Sequence, residues 1–371
     1  MRGGARHLYL HLPFCASRCG YCDFVTVVGH DDLHTAYVDA LLSELELERE
    51  LLAPDLESVY LGGGTPTLTA PTELERLLAA LPAAREVSVE ANPETVTPEL
   101  AALLSRNGVD RVSIGAQTFN TDLLDVLDRR SRAEDVRLAV HRLRDAGIDN
   151  ISLDLIYGIP GQTASDLARD LDEALALEPE HLSAYELEAK PGTRFTHAHG
   201  DELLRQADEL EAYIEHVVGR LTGAGYRWYE TANFCKAGDV AEGRDLRARH
   251  NLGYWLGHDY LGLGVGSVST IENRRWRNAP SLPRYLAALG RGERPGRELE
   301  LLSESERATE RLMLGLRLDE GLSLDGLEHV VDETELVRLA EGGLAVRQDG
   351  ALTLTARGRL LGGGVTARLL A

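Results

Sequence analysis

Three cysteines fall close together, in the order Cys15-x3-Cys19-x2-Cys22, and a fourth, Cys235, lies far downstream. Thiols at this density need a chemical reason. Four cysteines in 371 residues do not make a disulfide framework. A redox dithiol would be complete with two. A structural zinc site wants a fourth Cys or His nearby, and His30 is the only downstream candidate, at an unusual distance. Iron–sulfur cubanes are bound by clustered thiolates, so three cysteines would leave one iron open to chelate a small molecule. The bland alternative is three unrelated buried cysteines. For Cys235 alone the bland reading, a small buried hydrophobe, is the favoured one.

Other residues could do chemistry beside that loop. Glu90 and Asp154 end apolar runs, where a carboxylate is expensive to bury without a partner. Gly62-Gly63-Gly64-Thr65-Pro66 follows a strand-like run, but it has no Lys and the wrong spacing for a phosphate loop. His250-Asn251-Leu-Gly-Tyr254-Trp255 sets an imidazole among aromatics. In isolation such a His is more often a hydrogen-bonded core histidine. Arg274, Arg275 and Arg277 form the densest basic cluster and read as a solvated edge.

The elements that must position these residues alternate. Strand-like runs cover His7–Leu12, Ser58–Leu61, Glu86–Glu90, Arg111–Gly115, Asn150–Leu155 and His181–Leu187. Helical patterns lie between them: Val38, Leu41, Leu42 and Leu45 space one face of a helix over Leu33–Leu52. Further helices are expected after Thr72, Thr97, Ala133 and Thr163, behind N-terminal turn residues. Strand and helix in repeated alternation predict a parallel sheet with covering helices. Periodicity does not choose between an open sheet and a barrel. In either, ligands gather at the carboxyl ends of strands, where the cysteines, Gly62–Pro66, Glu90, Gln117 and Asp154 all fall.

Beyond Gly223 that rhythm fails. The tail from Ser303 reads as helices and then a hairpin over Leu344–Thr355 turning at Asp349–Gly350, like a winged-helix module. The composition, 43% hydrophobic and 27% charged, is globular. No apolar run approaches the roughly 18–20 residues needed to cross a bilayer. His7, His11 and Pro13 interrupt the N-terminal apolar stretch, which reads as a first strand rather than a signal peptide, so the cytoplasm is the expected compartment. A net charge of −21, from 39 basic and 60 acidic side chains, argues against nucleic acid as a partner.

CxxxCxxC with Tyr21 beside the third cysteine resembles the signature of radical S-adenosylmethionine (SAM) proteins. Tyr9-Leu-His-Leu-Pro-Phe-Cys15, Gly62–Pro66, Ser113-Ile-Gly-Ala-Gln117 and Asp154-Leu-Ile-Tyr-Gly-Ile-Pro160 are similar, in order, to the branch containing oxygen-independent coproporphyrinogen III oxidase and the heme chaperones of the HemW subfamily. The resemblance implies an α/β fold: a partial (β/α)6 radical-SAM barrel over 1–222, a family-specific extension over 223–297, and a C-terminal α+β winged-helix-like domain over 298–371. It implies a [4Fe–4S] cluster on Cys15, Cys19 and Cys22 and SAM on its open iron. The SAM would meet Gly63, Gly64 and Thr65, Glu90 at its methionyl end, Arg129 (or neighbouring Arg130) at its carboxylate, and Asp154 and Gln117 at its ribose. Tyr9 and Tyr21 would flank cluster and nucleoside. Electron transfer from such a cluster cleaves SAM to methionine and a 5′-deoxyadenosyl radical, and the cofactor, not the protein, supplies that reactivity.

Within the branch two features favour a heme chaperone over the oxidase. Cys22 is followed by Asp23-Phe24, with no further cysteine two residues on, and only a short segment precedes Cys15. His250–Trp255 matches the HNxxYW motif of the chaperones, which implies His250 as a heme ligand. Implied partners are heme and heme-accepting proteins, respiratory enzymes at the membrane among them, and a second copy of the chain. The alternatives are coproporphyrinogen III oxidase, a radical-SAM methylase or cyclopropane-forming enzyme, and a chaperone that has lost SAM cleavage.

Overall fold

The computed structural model describes residues 4–190, 194–238 and 244–370. Six strands alternate with helices as the periodicity predicts. They are β1 (His7–Leu12), β2 (Ser58–Gly63), β3 (Val87–Ala91), β4 (Arg111–Gln117), β5 (Asn150–Tyr157) and β6 (His181–Glu186). Every neighbouring pair from β1 to β6 is parallel. The crossovers are α1 (His34–Glu48), α2 (Pro71–Ala80), α3 (Pro98–Arg106), α4 (Thr121–Val126) with α5 (Ala133–Asp145), and α6 (Ala164–Ala176). Side chains start several of them. Thr97 accepts from Leu100 N–H at 3.1 Å, and Thr163 forms a reciprocal capping box with Asp166. Leu8, Leu10 and Leu12 of β1 and Leu41 and Leu45 of α1 are buried in one core with their counterparts along the sheet.

Later strands extend this sheet at both edges. After α7 (Arg194–Gln206) and α8 (Leu210–Gly223) come β7 (Tyr226–Glu230) and β8 (Asn233–Lys236). Beyond α9 (Arg249–Trp255) lie β9 (Tyr260–Leu263), β10 (Val268–Ile271) and β11 (Arg274–Asn278), then α10 (Leu282–Leu289) and β12 (Arg297–Leu301). The sheet runs β12-β11-β10-β9-β1-β2-β3-β4-β5-β6-β8-β7. It is mostly parallel at its centre, antiparallel at its edges, and no pairing among the described residues closes it into a ring. The strands β7 to β11 thus share the sheet of β1 to β6, and Trp228, Phe234, Leu261 and Leu289 sit in the same core. The sequence rhythm failed there because these strands pair with distant partners; β9 lies parallel to β1, with His7 opposite Tyr260.

The C-terminal module has its own core. In α11 (Glu304–Gly315), α12 (Glu333–Glu341), β13 (Ala345–Gln348) and β14 (Ala351–Leu354), the buried side chains include Leu312, Leu336, Leu339, Leu352 and Leu354. Asp349 and Gly350 both take positive φ, +52° and +79°, the paired left-handed conformation of a type I′ hairpin turn. Arg359 fastens this module to the sheet, with its guanidinium 3.7 Å from the Trp228 ring centroid and Nη1 donating to Trp228 O at 2.8 Å.

Candidate functional site at the carboxyl ends of the strands

A cavity of about 570 Å³ opens where the parallel strands end. Cys15, Cys19, Cys22 and Tyr21 line it from the loop after β1, and Gly63, Gly64 and Thr65 from the end of β2. Glu90, Gln117, Arg129 and Asp154 come from the elements that follow. Arg130 is exposed and outside the lining, so of the two neighbouring arginines it is Arg129 that faces inward.

Two donors reach the sulfurs. Thr65 Oγ1 donates to Cys15 Sγ at 3.7 Å and Arg129 Nη1 to Cys19 Sγ at 3.8 Å. Burial pushes the Cys15 and Cys22 thiols up. Among the described residues no three His, Cys, Asp or Glu converge on a point suited to one metal ion. A cubane makes no such demand, because each cysteine binds a different iron. A trio of sulfurs on one loop, facing a cavity, with hydrogen-bond donors behind them, fits a cluster.

Arg129 is fixed on its other arm: Nη2 donates to Gly115 O at 2.8 Å and to Asn92 Oδ1 at 2.9 Å. Glu90 accepts from Tyr60 O–H at 2.8 Å and Gly63 N–H at 3.0 Å, and burial pushes its carboxyl up to about 7. Ser113 donates to Asp154 at 2.9 Å, and burial raises the pKa of that carboxyl too. Gln117 sits after a bulge in β4 with φ of +64°, a strained conformation of the sort that collects at functional sites.

The glycines have a reason that the sequence did not reveal. A Cβ on Gly63, whose φ is +114°, would lie 2.5 Å from the His11 ring, and one on Gly64 would lie 2.6 Å from the Pro13 backbone. The protein's own packing requires them, before any ligand does.

The radical SAM superfamily profile matches residues 9–174, and the HemN C-terminal domain profile matches residues 302–361. The protein named heme chaperone HemW in Bacillus subtilis (strain 168) is 34% identical over 384 residues, covering 98% of this chain and 98% of its own. Its namesake in Mycobacterium tuberculosis (strain ATCC 25618 / H37Rv) is 37% identical over 386 residues, covering 100% of this chain and 96% of its own. This chain belongs to the HemW family of radical SAM proteins. A solved structure described as coproporphyrinogen III oxidase (HemN) from Escherichia coli, a radical SAM enzyme, matches with a TM-score of 0.81 over 98% of this chain and 90% of that chain. At 23% identity that likeness shows the fold.

Two of the residues expected in the site of this HemW-family chain lie outside the cavity. Tyr9 packs behind Tyr60, ring centroids 6.2 Å apart, with its hydroxyl 3.1 Å from His11 Nδ1. His250 is 1% exposed and both its nitrogens are engaged, Nδ1 with Ser58 Oγ at 2.8 Å and Nε2 with Tyr254 OH at 2.9 Å. Burial holds it neutral, with its pKa down at about 3. The HNxxYW helix nonetheless borders the site: His250 stacks on Tyr60 at 5.0 Å, and Asn251 lines the cavity. Asn92 and Tyr60, which the sequence reading did not single out, prove to hold Arg129 and Glu90. The signal for Asn92 was its place two residues beyond Glu90, at the end of the same strand.

Proposed function

We propose that the protein is a heme chaperone that binds heme, carries a [4Fe–4S] cluster with exchangeable SAM, and passes heme to acceptor proteins. The observation that carries this reading is the end-to-end match to relatives named heme chaperone HemW, at 34% and 37% identity. Cys15, Cys19 and Cys22 would hold the cluster. Arg129, steadied by Asn92 and Gly115, would offer a guanidinium edge to the SAM carboxylate. Glu90 would face the cationic methionyl end, with Gly63 to Thr65 beside it. Asp154 would accept from ribose hydroxyls with Gln117 nearby, and Tyr21 would close the cluster side. A cluster with bound SAM supplies one-electron chemistry at a sulfonium; the residues here orient that ligand and exclude water.

Heme is cargo in this reading, bound at the HNxxYW helix. Among the described residues no helix is long and apolar enough to cross a membrane. The reading takes the cytoplasm as the compartment and heme-accepting proteins, membrane respiratory enzymes included, as recipients.

The test is anaerobic incubation of the reconstituted protein with coproporphyrinogen III, SAM and reductant, followed by product analysis, alongside a hemin titration. Equimolar heme uptake with unchanged porphyrinogen is expected. Formation of protoporphyrinogen IX would make the protein an oxidase and overturn the reading.

A further inference from the structure

The HNxxYW helix ends by presenting a second imidazole. Just past the end of α9 the N–H of His258 donates to Gly253 O at 2.8 Å and that of Gly257 to Tyr254 O at 3.0 Å, with Gly257 at φ +71°. This pair of bonds is a Schellman turn, and it fixes His258 immediately past the helix. Gly253 also matters, since a Cβ there would lie 2.6 Å from the His7 ring. Its absence lets His7 approach, and His7 Nε2 lies 3.2 Å from His258 Nδ1. His258 Nε2 makes no hydrogen bond among the described residues.

From His258 a chain of polar groups runs inward and returns. His7 Nδ1 lies 2.8 Å from Ser58 Oγ, Ser58 Oγ lies 2.8 Å from His250 Nδ1, and His250 Nε2 lies 2.9 Å from Tyr254 OH. A hydroxyl carries one proton, so Ser58 donates to one imidazole while accepting from the other. The chain therefore points one way at a time. With donors directed from His258 toward Tyr254, His258 Nδ1–H is spent on His7 and its Nε2 carries the lone pair. In that same direction His250 Nε2 carries a proton and cannot ligate a metal. A ligating histidine is commonly oriented by just such a bond from its other nitrogen.

His258 and Tyr254 both line a second cavity, of about 430 Å³, between this turn and α11, within the roughly 300–1,000 Å³ range of ligand pockets. Tyr254 and Tyr260 form one wall, their rings edge-on at 4.7 Å, and Leu314 and Leu327 supply apolar surface. Three arginines also line it, and two are committed to carboxylates. Arg275 grips Glu310 at 2.7 and 2.8 Å, and Arg307 meets Asp259 at 3.2 Å. Among the described residues Arg311 reaches only the carbonyls of Asp325 and Ser323, at 3.2 and 3.4 Å. An aromatic wall, an open imidazole nitrogen and a guanidinium without a carboxylate suit a flat metallated macrocycle bearing carboxylates.

Building on the chaperone reading, we infer that heme docks in this cleft, with iron on His258 Nε2, a propionate on Arg311 and the ring against Tyr254 and Tyr260. His7 and Ser58 are then positioning residues, and His250 is the buried turn of their chain.

The test uses hemin and the cluster-loaded protein, with the cubane in its oxidised, EPR-silent state so that the ferric heme signal is read alone. His258→Ala should weaken hemin binding by about tenfold or more and lose the imidazole-ligated signal, and added imidazole should restore that signal. His258→Gln should lose the same signal while retaining cluster iron, which separates ligation from misfolding. Ser58→Ala should shift the heme reduction potential with heme uptake retained. Should wild-type protein bind hemin and His258→Ala match it in affinity and signal, the site is overturned while the chaperone reading stands. A wild-type protein that takes up no hemin overturns both.

Discussion

Arg129 and Asn92 are joined by a 2.9 Å hydrogen bond, and through it this guanidinium is tied to the cysteine loop. Asn92 Nδ2 donates to Thr65 Oγ1 at 3.2 Å, and Thr65 in turn donates to Cys15 Sγ. The other arm of Arg129 reaches Cys19. A charge placed on this frame can address an anion without losing its hold on the sulfurs.

Replacing Arg129 with Lys keeps the charge but not the planar fork. One ammonium cannot bond Gly115 O and Asn92 and still face a carboxylate in bidentate fashion. SAM affinity should drop by roughly tenfold or more, the scale of one charge-assisted hydrogen bond, with cluster iron retained. Asn92→Ala should produce a smaller loss in the same direction. Equilibrium dialysis of labelled SAM against reconstituted protein measures both, and an Arg129→Lys protein that binds SAM like wild type removes Arg129 from the site.

Glu90 gives the site a pH dependence with a definite sign. Its carboxyl, raised to about 7 by burial, keeps its proton below that pH although Tyr60 and Gly63 donate to it. A sulfonium ligand favours the ionised form, so binding expels a proton wherever the free site holds one. Affinity for SAM should therefore rise as pH climbs through about 7 and fall below it, by at most about tenfold per unit. Glu90→Gln should flatten that profile. A wild-type profile level from pH 6 to pH 8 would show that Glu90 does not face the cation.

The four cysteines should separate cleanly in iron content. Changing Cys15, Cys19 or Cys22 to Ala removes a donor that nothing in the cavity replaces, and each variant should fail to assemble a four-iron cluster. Cys235 is 3% exposed on β8, its thiol pushed up to about 11 by burial, and it does not line the cavity. Cys235→Ala should keep the full iron content at a stability cost of about 1 kcal/mol. Iron and sulfide assays after anaerobic reconstitution decide the matter, and iron lost with Cys235 alone would reassign the ligand set.

The gathering of cysteines, Glu90, Arg129 and Asp154 was legible because a parallel sheet sends every strand's carboxyl end to one side. The strand ends could be found from local periodicity. The Thr97 and Thr163 caps and the Asp349–Gly350 turn were legible for the same reason, each being a short-range device. Non-local packing was not. That Gly63 yields to His11 and Gly64 to Pro13 depends on how two strands meet, and that β9 continues the sheet beside β1 depends on a pairing across most of the chain. The HNxxYW motif forms one short helix, α9, whose own Tyr254 meets His250 Nε2, yet the partner of His250 Nδ1 is Ser58, far away in sequence on β2. The densest basic cluster read as a solvated edge, whereas Arg275 turns into the second cavity to meet Glu310.

Glu44 tests whether the strands after β8 belong to the barrel's cooperative unit. This α1 carboxylate is 0% exposed. It accepts from Gly264 N–H at 2.8 Å, Asn278 Nδ2 at 2.7 Å and Tyr285 O–H at 2.7 Å, with Arg297 3.5 Å away. Every one of these partners lies beyond β8, so a single side chain stitches α1 to the far edge of the sheet. Glu44→Ala would orphan the Gly264 N–H and the Tyr285 O–H, while Asn278 Nδ2 keeps Gly264 O and Ser267 Oγ and Arg297 keeps Glu48 at 2.7 Å, at a cost of about 2–5 kcal/mol. Glu44→Gln keeps one good acceptor and should cost about 1–3 kcal/mol. Urea unfolding followed through tryptophan emission gives the comparison, because Trp276 is 6% exposed on β11 beside this network. If the extension shares the barrel's core, Glu44→Ala lowers the midpoint of one common transition. A Glu44→Ala protein within about 1 kcal/mol of wild type, or one in which the extension melts by itself, would show that this network does not bind the sheet's two parts together.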